Sequence, residues 1–281
     1  MTSTNPHVTI IIPTYNYARF LPDSIGSAVA QTFQETEILI MDNASTDETR
    51  EVVRGFMAKD RRIRYVRNDT NIGAIQNFNK GIALAAGEYV KVLCADDRLE
   101  PACLGKTLPP LEKNPSVALS GCARRYIDSD GRPFGSILSF AMEPTILPGP
   151  DAIVRCLFHG NLIGEPSAVL FRKRDADSGF SIDYRQLVDL EFWFKLLERG
   201  SFAFTAEPLC YVREHAGQTT MRNLWTFSAA RDEWKIYRDY GRKGYVDLSR
   251  TKRAELVARR LSFCVLPPVM GALAKVLPIR R

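Results

Sequence analysis

The sequence predicts an α/β fold with a doubly wound, mostly parallel sheet flanked by helices, and three observations carry that expectation. Short runs of consecutive β-branched and apolar residues recur between Val8 and Leu93. Each run stops at a turn-forming or polar residue, and a helical segment separates one run from the next. The runs do not alternate apolar with polar, which is the pattern of strands covered on both faces.

Val8 to Ile12 is the first strand, stopped by Pro13, and Ile38 to Met41 is the second, stopped by Asp42-Asn43. Ser45-Thr-Asp-Glu48 has capping-box spacing, so a helix is expected from there to about Lys59, with Asp47 as an acid at its amino terminus. Ile63 to Val66 forms the third strand, Gln76 to Ala86 a helix closed by Gly87, and Tyr89 to Leu93 the fourth strand. After Pro109-Pro110 the rhythm changes. Val117 to Ile127 and Pro133 to Phe140 flank the turn signal Asp128-Ser-Asp-Gly131 and read as a hairpin. Helical periodicity returns at Leu187 to Leu197 and from about Leu224 to Tyr240, with a strand at Leu209 to Val212 between them.

With 281 residues, 25% of them charged, the chain is long enough for one large domain with an appendage and too apolar to be disordered in bulk. Its six cysteines include no C-x-x-C pair and only three histidines accompany them, which argues against a thiol-zinc site and suits a reducing compartment. The first residues lack the basic and long apolar regions of a signal peptide, so a cytoplasmic protein is expected. The net charge of +6 is concentrated late, from Arg250 to Arg281.

The fourth strand delivers two adjacent carboxylates, Asp96 and Asp97, to the carboxyl edge of the sheet, where open α/β sheets bind ligands. Like charges side by side repel. They either cap the helix that Pro101 begins or hold a divalent cation carrying phosphate oxygens, which points to a nucleoside-diphosphate substrate. Neither G-x-G-x-x-G nor G-x-x-x-x-G-K-[ST] is present, so metal or side chains must hold the diphosphate. At the same edge, Pro13-Thr14-Tyr15-Asn16 offers a rigid turn and an aromatic that either packs or stacks on a base. Asp42, acceptor-only when ionised, suits an imide N–H such as that of uracil or thymine, or else a helix amino terminus.

Together, Val-Thr-Ile-Ile-Ile-Pro-Thr-Tyr-Asn (8 to 16), Ile-Met-Asp-Asn-Ala-Ser-Thr-Asp (40 to 47), Asn71-Ile-Gly73, Asn79-Lys-Gly81 and Gly87-Glu-Tyr-Val…Ala-Asp-Asp resemble the family 2 glycosyltransferases of the GT-A fold, of bacterial surface-polysaccharide type. The likeness runs over roughly residues 8 to 220. It implies an inverting transfer of a sugar from a nucleotide-diphosphate donor to an acceptor hydroxyl. Pro13, Thr14, Tyr15, Asn16, Asp42 and Asn71 would then border the donor nucleotide, Asp96 the ribose, and Asp97 the metal, Mn²⁺ or Mg²⁺ by its hard oxygen ligands. In this chain Asn43 replaces an acid common in the family, and Phe78 stands where many members have Arg.

Attack by a hydroxyl needs a base. Val188-Asp-Leu-Glu-Phe-Trp193 resembles the family's acidic motif, with Asp189 at the base position; without the resemblance Asp189 reads as a helix amino-terminal acid. Glu191, two residues on, points elsewhere on a helix and reads as structural, with an acceptor-side role as the alternative. Gly164-Glu-Pro-Ser167 looks like the acceptor-side segment, where Glu165 either orients a sugar or is solvated. In Tyr211-Val-Arg-Glu-His215, His215 would contact metal or diphosphate, or serve structurally, and Arg213 would neutralise negative charge.

The resemblance divides the chain into a glycosyltransferase domain at 1–220, with a nucleotide-sugar-binding half at 1–100 and an acceptor half at 101–220, and a helical, basic extension at 221–281. From Lys252 to Leu266 the apolar residues fall on one helical face beside Arg259 and Arg260, which suits either packing on the domain or docking on an anionic membrane surface. Docking there makes a lipid-linked saccharide the natural acceptor. The tail has no aromatic-interleaved surface, so no nucleic-acid partner is expected. Two rival readings are a catalytically silent sugar-nucleotide or membrane-binding module and a sugar-phosphate nucleotidyltransferase. The latter would want a Gly-rich, basic triphosphate loop that Pro13-Thr14-Tyr15-Asn16 does not supply.

Overall fold

A computed structural model describes residues 6–215, 217–218 and 228–245. The expected strands form as β1 (Val8–Thr14), β2 (Thr36–Asp42), β3 (Ile63–Arg67) and β4 (Tyr89–Val92), all mutually parallel where they pair. The connecting helices are α1 (Leu21–Val29), α2 (Thr49–Met57) and α3 (Ala74–Leu84). α3 lies so close to β1 that a Cβ on Gly81 would stand 2.7 Å from the Ile11 side chain, which explains the glycine there.

The second half continues through β5 (Arg98–Leu99), the short helices α4 (Cys103–Thr107) and α5 (Pro109–Lys113), β6 (Val117–Ile127), β7 (Pro133–Leu138) and β8 (Thr145–Leu147). Then come α6 (Gly149–His159), β9 (Val169–Arg172), α7 (Val188–Leu197), β10 (Ser201–Arg213) and α8 (Ser228–Arg242). One ten-stranded sheet runs through both halves in the order β3-β2-β1-β4-β9-β6-β10-β5, with β7 paired to β6 and β8 to β10. β9 is antiparallel to both β4 and β6, so the sheet is mixed where the two halves meet.

Each face of the sheet has its own core. Ile25, Val53, Cys103 and Leu104 pack on one side; Phe171, Phe192, Trp193, Phe194 and Phe202 pack on the other, joined by Ile236 and Tyr240 of α8. Such aromatic clusters supply much of a domain's apolar burial.

Three local expectations are revised. The strand expected at Leu209 to Val212 is the end of β10, thirteen residues long and shifted in register at Thr205/Pro208. α2 starts at Thr49, and Ser45 Oγ accepts the Asn16 amide at 3.0 Å instead of closing a capping box. The cysteines, spread through the sequence without paired spacing, are not scattered in space. Cys103, Cys122 and Cys210 gather round Lys91, which is wholly buried, and a hydrogen bond from Cys122 together with the Lys91 ammonium holds the Cys103 thiol down to about 6. Among the described residues no helix is long and apolar enough to cross a membrane. The helix expected from Lys252 to Leu266 lies outside the described residues.

Candidate active site

β1, β2 and β4 end side by side, and their carboxyl edges carry the donor-side residues. After β1, Thr14 is buried, Tyr15 is 43% exposed, and Asn16 adopts φ 58°, a left-handed conformation that asparagine tolerates. Asn16 Oδ1 accepts the Thr46 amide at 2.7 Å, which ties this turn to the one after β2. Asp42 is 1% exposed. Its Oδ1 accepts the Ser45 amide at 2.9 Å, its Oδ2 accepts the Tyr65 hydroxyl, and Arg67 stands 3.6 Å away. Asn43 Oδ1 accepts from Asn68 Nδ2 and the Ile72 amide, while its Nδ2 donates to Asn71 Oδ1 at 2.8 Å. Asn43, where an acid is common, is therefore part of a buried amide chain that needs a donor at this position.

Beyond β4 the chain turns at once, the Asp97 amide bonding the Cys94 carbonyl at 3.0 Å, and both acids are buried. Neither carboxylate caps the following helix. Asp97 accepts the Ser167 hydroxyl on Oδ2 at 2.5 Å and the Arg213 amide on Oδ1 at 2.9 Å. Asp96 Oδ2 lies 3.1 Å from His215 Nε2 and accepts Gln218 Nε2 at 3.1 Å. Burial, reinforced by the neighbouring charge of Asp96, pushes Asp97 well above the usual carboxylate range. Ligand atoms of Cys94, Asp96 and Asp97 all lie within 4.8 Å of one another, the spacing of groups around one cation. A site short of positive charge with hard oxygen donors fits Mg²⁺ or Mn²⁺. Cys94 does not suit that set, because its soft sulfur is a poor ligand for either ion.

Arg213, expected to neutralise negative charge, does so within the fold. The side chain is 1% exposed and spent internally: Nε donates to the Asp96 carbonyl at 2.7 Å, Nη1 to the Asp128 carbonyl at 3.1 Å, and Nη2 to Asp23 at 2.7 Å. It clamps the acidic turn to α1 and to the β6–β7 hairpin. Glu191 is buried and ion-paired to Lys195 at 2.9 Å, which suits its structural reading.

Asp189 sits in the first turn of α7, where its Oδ1 accepts the Leu190 amide at 2.7 Å and its Oδ2 accepts Asn161 Nδ2 at 3.0 Å. Burial raises its carboxyl to about 7; Glu165 pushes the same way, against the Leu190 amide and Arg124. Asn161 in turn accepts the Gly164 amide on Oδ1 at 2.9 Å, and Trp193 Nε1 donates to the Gly164 carbonyl at 3.0 Å. Gly164 has φ +110°, and a Cβ there would stand 3.0 Å from the Arg124 guanidinium, so this turn requires glycine. Arg124 Nε meets Glu165 Oε2 at 2.5 Å, and the Tyr126 hydroxyl donates to Glu165 Oε1 at 3.3 Å. The segment 161–167 thus holds Asp189 at one end and Asp97 at the other, with Glu165 acting on both electrostatically.

Asn161, Ser167, Arg124 and Gln218 were not found from sequence. For Asn161 a signal existed, since it stands with Gly160 and Gly164 in a turn bounded by glycines.

The chain is 28% identical over 242 residues to a putative teichuronic acid biosynthesis glycosyltransferase, TuaG, of Bacillus subtilis, covering 86% of this chain and 91% of that one. It is 31% identical over 238 residues to an uncharacterized glycosyltransferase of Methanocaldococcus jannaschii, covering 82% and 80%. Among solved structures, S. aureus TarS 1–349 in complex with UDP-GlcNAc superposes with a TM-score of 0.69 at 17% identity, over 97% of this chain and 76% of that one. The mannosyltransferase PcManGT of Pyrobaculum calidifontis, in complex with GDP-Man and Mn²⁺, gives 0.63 at 17% identity, over 99% and 77%. These neighbours share the GT-A fold. The model of glycosyl transferase family 2 matches residues 9–180, and the chain belongs to that family.

Proposed function

We propose that this glycosyltransferase moves a sugar, with inversion, from a nucleoside-diphosphate donor to a hydroxyl of a saccharide acceptor, and that Asp189 is the general base. The observation that carries the reading is the carboxyl of Asp189, held by Asn161 and raised to about 7, since a base works best when its pKa lies near the operating pH. Asp189 receives the acceptor proton as the hydroxyl oxygen attacks the anomeric carbon from the face opposite the departing diphosphate. Glu165, fixed by Arg124 and Tyr126, offers the acceptor a hydrogen-bond acceptor near that base. Asp97 and His215 would hold a divalent metal, Mn²⁺ or Mg²⁺, which when bound supplies neutralising charge to the leaving diphosphate, and Asp96, expected at the ribose, lies close enough to Asp97 to share that cation.

On the donor side, Pro13, Thr14, Tyr15, Asn16, Asp42 and Asn71 border the nucleotide. Asp42 still has lone pairs beside those used by Ser45 and Tyr65, and a carboxylate facing an imide favours UDP- or dTDP-sugars. The name of the B. subtilis relative and the basic extension at 221–281 support surface-polysaccharide synthesis on a lipid-linked acceptor at the cytoplasmic membrane surface. A thermal-shift series with UDP, dTDP, GDP and CDP, each with and without Mn²⁺, tests the donor site. Stabilisation by UDP or dTDP that grows with Mn²⁺ is the expected result; no stabilisation by any diphosphate, or none that responds to metal, overturns the donor-site reading.

A further inference from the structure

α7 has no side-chain cap of its own, yet the amides just before it are not left unpaired. Asp232, on α8, is wholly buried and places Oδ2 2.6 Å from the Arg185 amide, 2.6 Å from the Gln186 amide and 3.3 Å from the Leu187 amide. Three consecutive N–H groups converge on one carboxylate oxygen from a helix more than forty residues away in sequence. Charge-assisted bonds of this kind are stronger and more directional than neutral ones.

The rest of α8 grips the same turn. Arg231 and Lys235 donate to the Asp183 carbonyl at 3.0 and 3.4 Å, and the Lys235 ammonium sits 4.2 Å from the centre of the Tyr184 ring. Further along, Tyr240 meets Phe194 of α7 edge-on at 4.8 Å. Asp189 stands two residues past the last amide that Asp232 holds, so the place where α7 begins decides where its carboxylate lies.

We propose that Asp232 is a positioning residue for Asp189: by gathering the amides of residues 185–187 onto one oxygen, α8 fixes the start of α7 and with it the base. The inference rests on the reading of Asp189 as the base. It gives the segment after β10 a part in the chemistry without contact with either substrate. Errors of about 1 Å in the placement of a reacting group cost about a hundredfold in rate.

The test uses the full chain with Asp232→Ala, Asp232→Asn and Asp189→Asn, measuring kcat, donor KM and amide hydrogen exchange at residues 185–187. Asp232→Ala is expected to lower kcat about a hundredfold with donor KM changed less than about twofold. Asp232→Asn, whose side-chain carbonyl still accepts, is expected to recover most of that rate while the three amides exchange about tenfold faster than in the wild type. Wild-type kcat in Asp232→Ala overturns the proposal, as does loss of kcat and donor KM together without recovery in Asp232→Asn. If Asp232→Ala does not fold, unchanged exchange in Asp232→Asn overturns it and faster exchange with a selective fall in kcat supports it. Near-normal turnover by Asp189→Asn removes the base reading and the proposal with it, whereas an inactive Asp189→Asn beside a fully active Asp232→Ala removes this proposal alone.

Discussion

Asn161 donates to Asp189 across 28 residues of sequence at 3.0 Å, and the same amide group accepts the Gly164 N–H, so its orientation is fixed from both ends. The hydrogen bond favours the ionised carboxylate, against the burial that favours the protonated one.

Asn161→Ala removes that donor, leaving Glu165, Arg124 and the Leu190 amide as the groups that act on Asp189. The acid limb of the kcat/KM profile is expected to move up by about one pH unit, the equivalent of one hydrogen bond. Steady-state rates between about pH 5 and 9 measure it. An unmoved limb would show that Asn161 serves the turn and not the base.

Asp189→Asn is expected to lower kcat by about a hundredfold to ten-thousandfold while donor binding, measured by titration calorimetry, is retained. In the wild type, activity is expected to fall tenfold per unit below a folded pKa of about 7, because the proposed base is then protonated. Stability runs the other way. The native carboxyl holds its proton up to about 7 and an unfolded one releases it near 3.8, so between these values the native state binds more protons and stability declines as pH rises. At about pH 8 the Asn variant should therefore melt above the wild type, and a lower melting temperature there would contradict the buried, raised carboxyl.

Asp96→Asn removes one of two adjacent charges, the one that His215 Nε2 meets at 3.1 Å. Mn²⁺ is expected to stabilise the variant with UDP far less than it does the wild type, and chelation with EDTA should stop transfer by the wild type. Calorimetric titration of Mn²⁺ in the presence of UDP checks the first expectation; wild-type metal affinity would remove Asp96 from the ligand set.

Arg213→Ala leaves Asp23 without its partner and strips donors from the Asp96 and Asp128 carbonyls. Asp23 is half exposed and water can solvate it once the guanidinium is gone, so the cost is mainly that of the lost hydrogen bonds, about 1–3 kcal/mol, and the urea midpoint should fall accordingly. Arg213→Lys cannot reproduce the fork and is expected to recover only part of the loss. A loss of activity at unchanged stability would return Arg213 to the diphosphate-binding role that its position in sequence suggested.

The first half of the fold was legible because its strands are covered on both faces, which writes them as unbroken apolar runs such as Val8 to Ile12 and Tyr89 to Val92. β10 was not, since Glu207-Pro208 interrupts its pattern where the register shifts. α6 keeps helical spacing at Ala152, Ile153, Cys156 and Leu157, but Pro148-Gly149-Pro150 at its start reads as a turn. The places of Asp42 at a strand end, Asp96 in the turn after β4 and Asp189 in the first turn of α7 were readable. Their partners were not. Ser167 reaches Asp97 across 70 residues and Asp232 reaches Leu187 across 45, and nothing local in the sequence encodes either pairing. The partners of Arg213 were hidden for the same reason: an arginine near acids looks available until the fold surrounds it.

The segment from Asn161 to Ser167 behaves as a gauge. One end grips the proposed base and the other an acid of the proposed metal site, and the seven residues from 161 to 167 set the interval. A relative that changed its sugar or its acceptor could not do so by stretching this span without spoiling the alignment of attack and departure. Diversification is then steered to surfaces that carry no such constraint, such as the open ring of Tyr15 and the solvent-facing strand β7, so that chemistry and selectivity can drift at different rates in one fold.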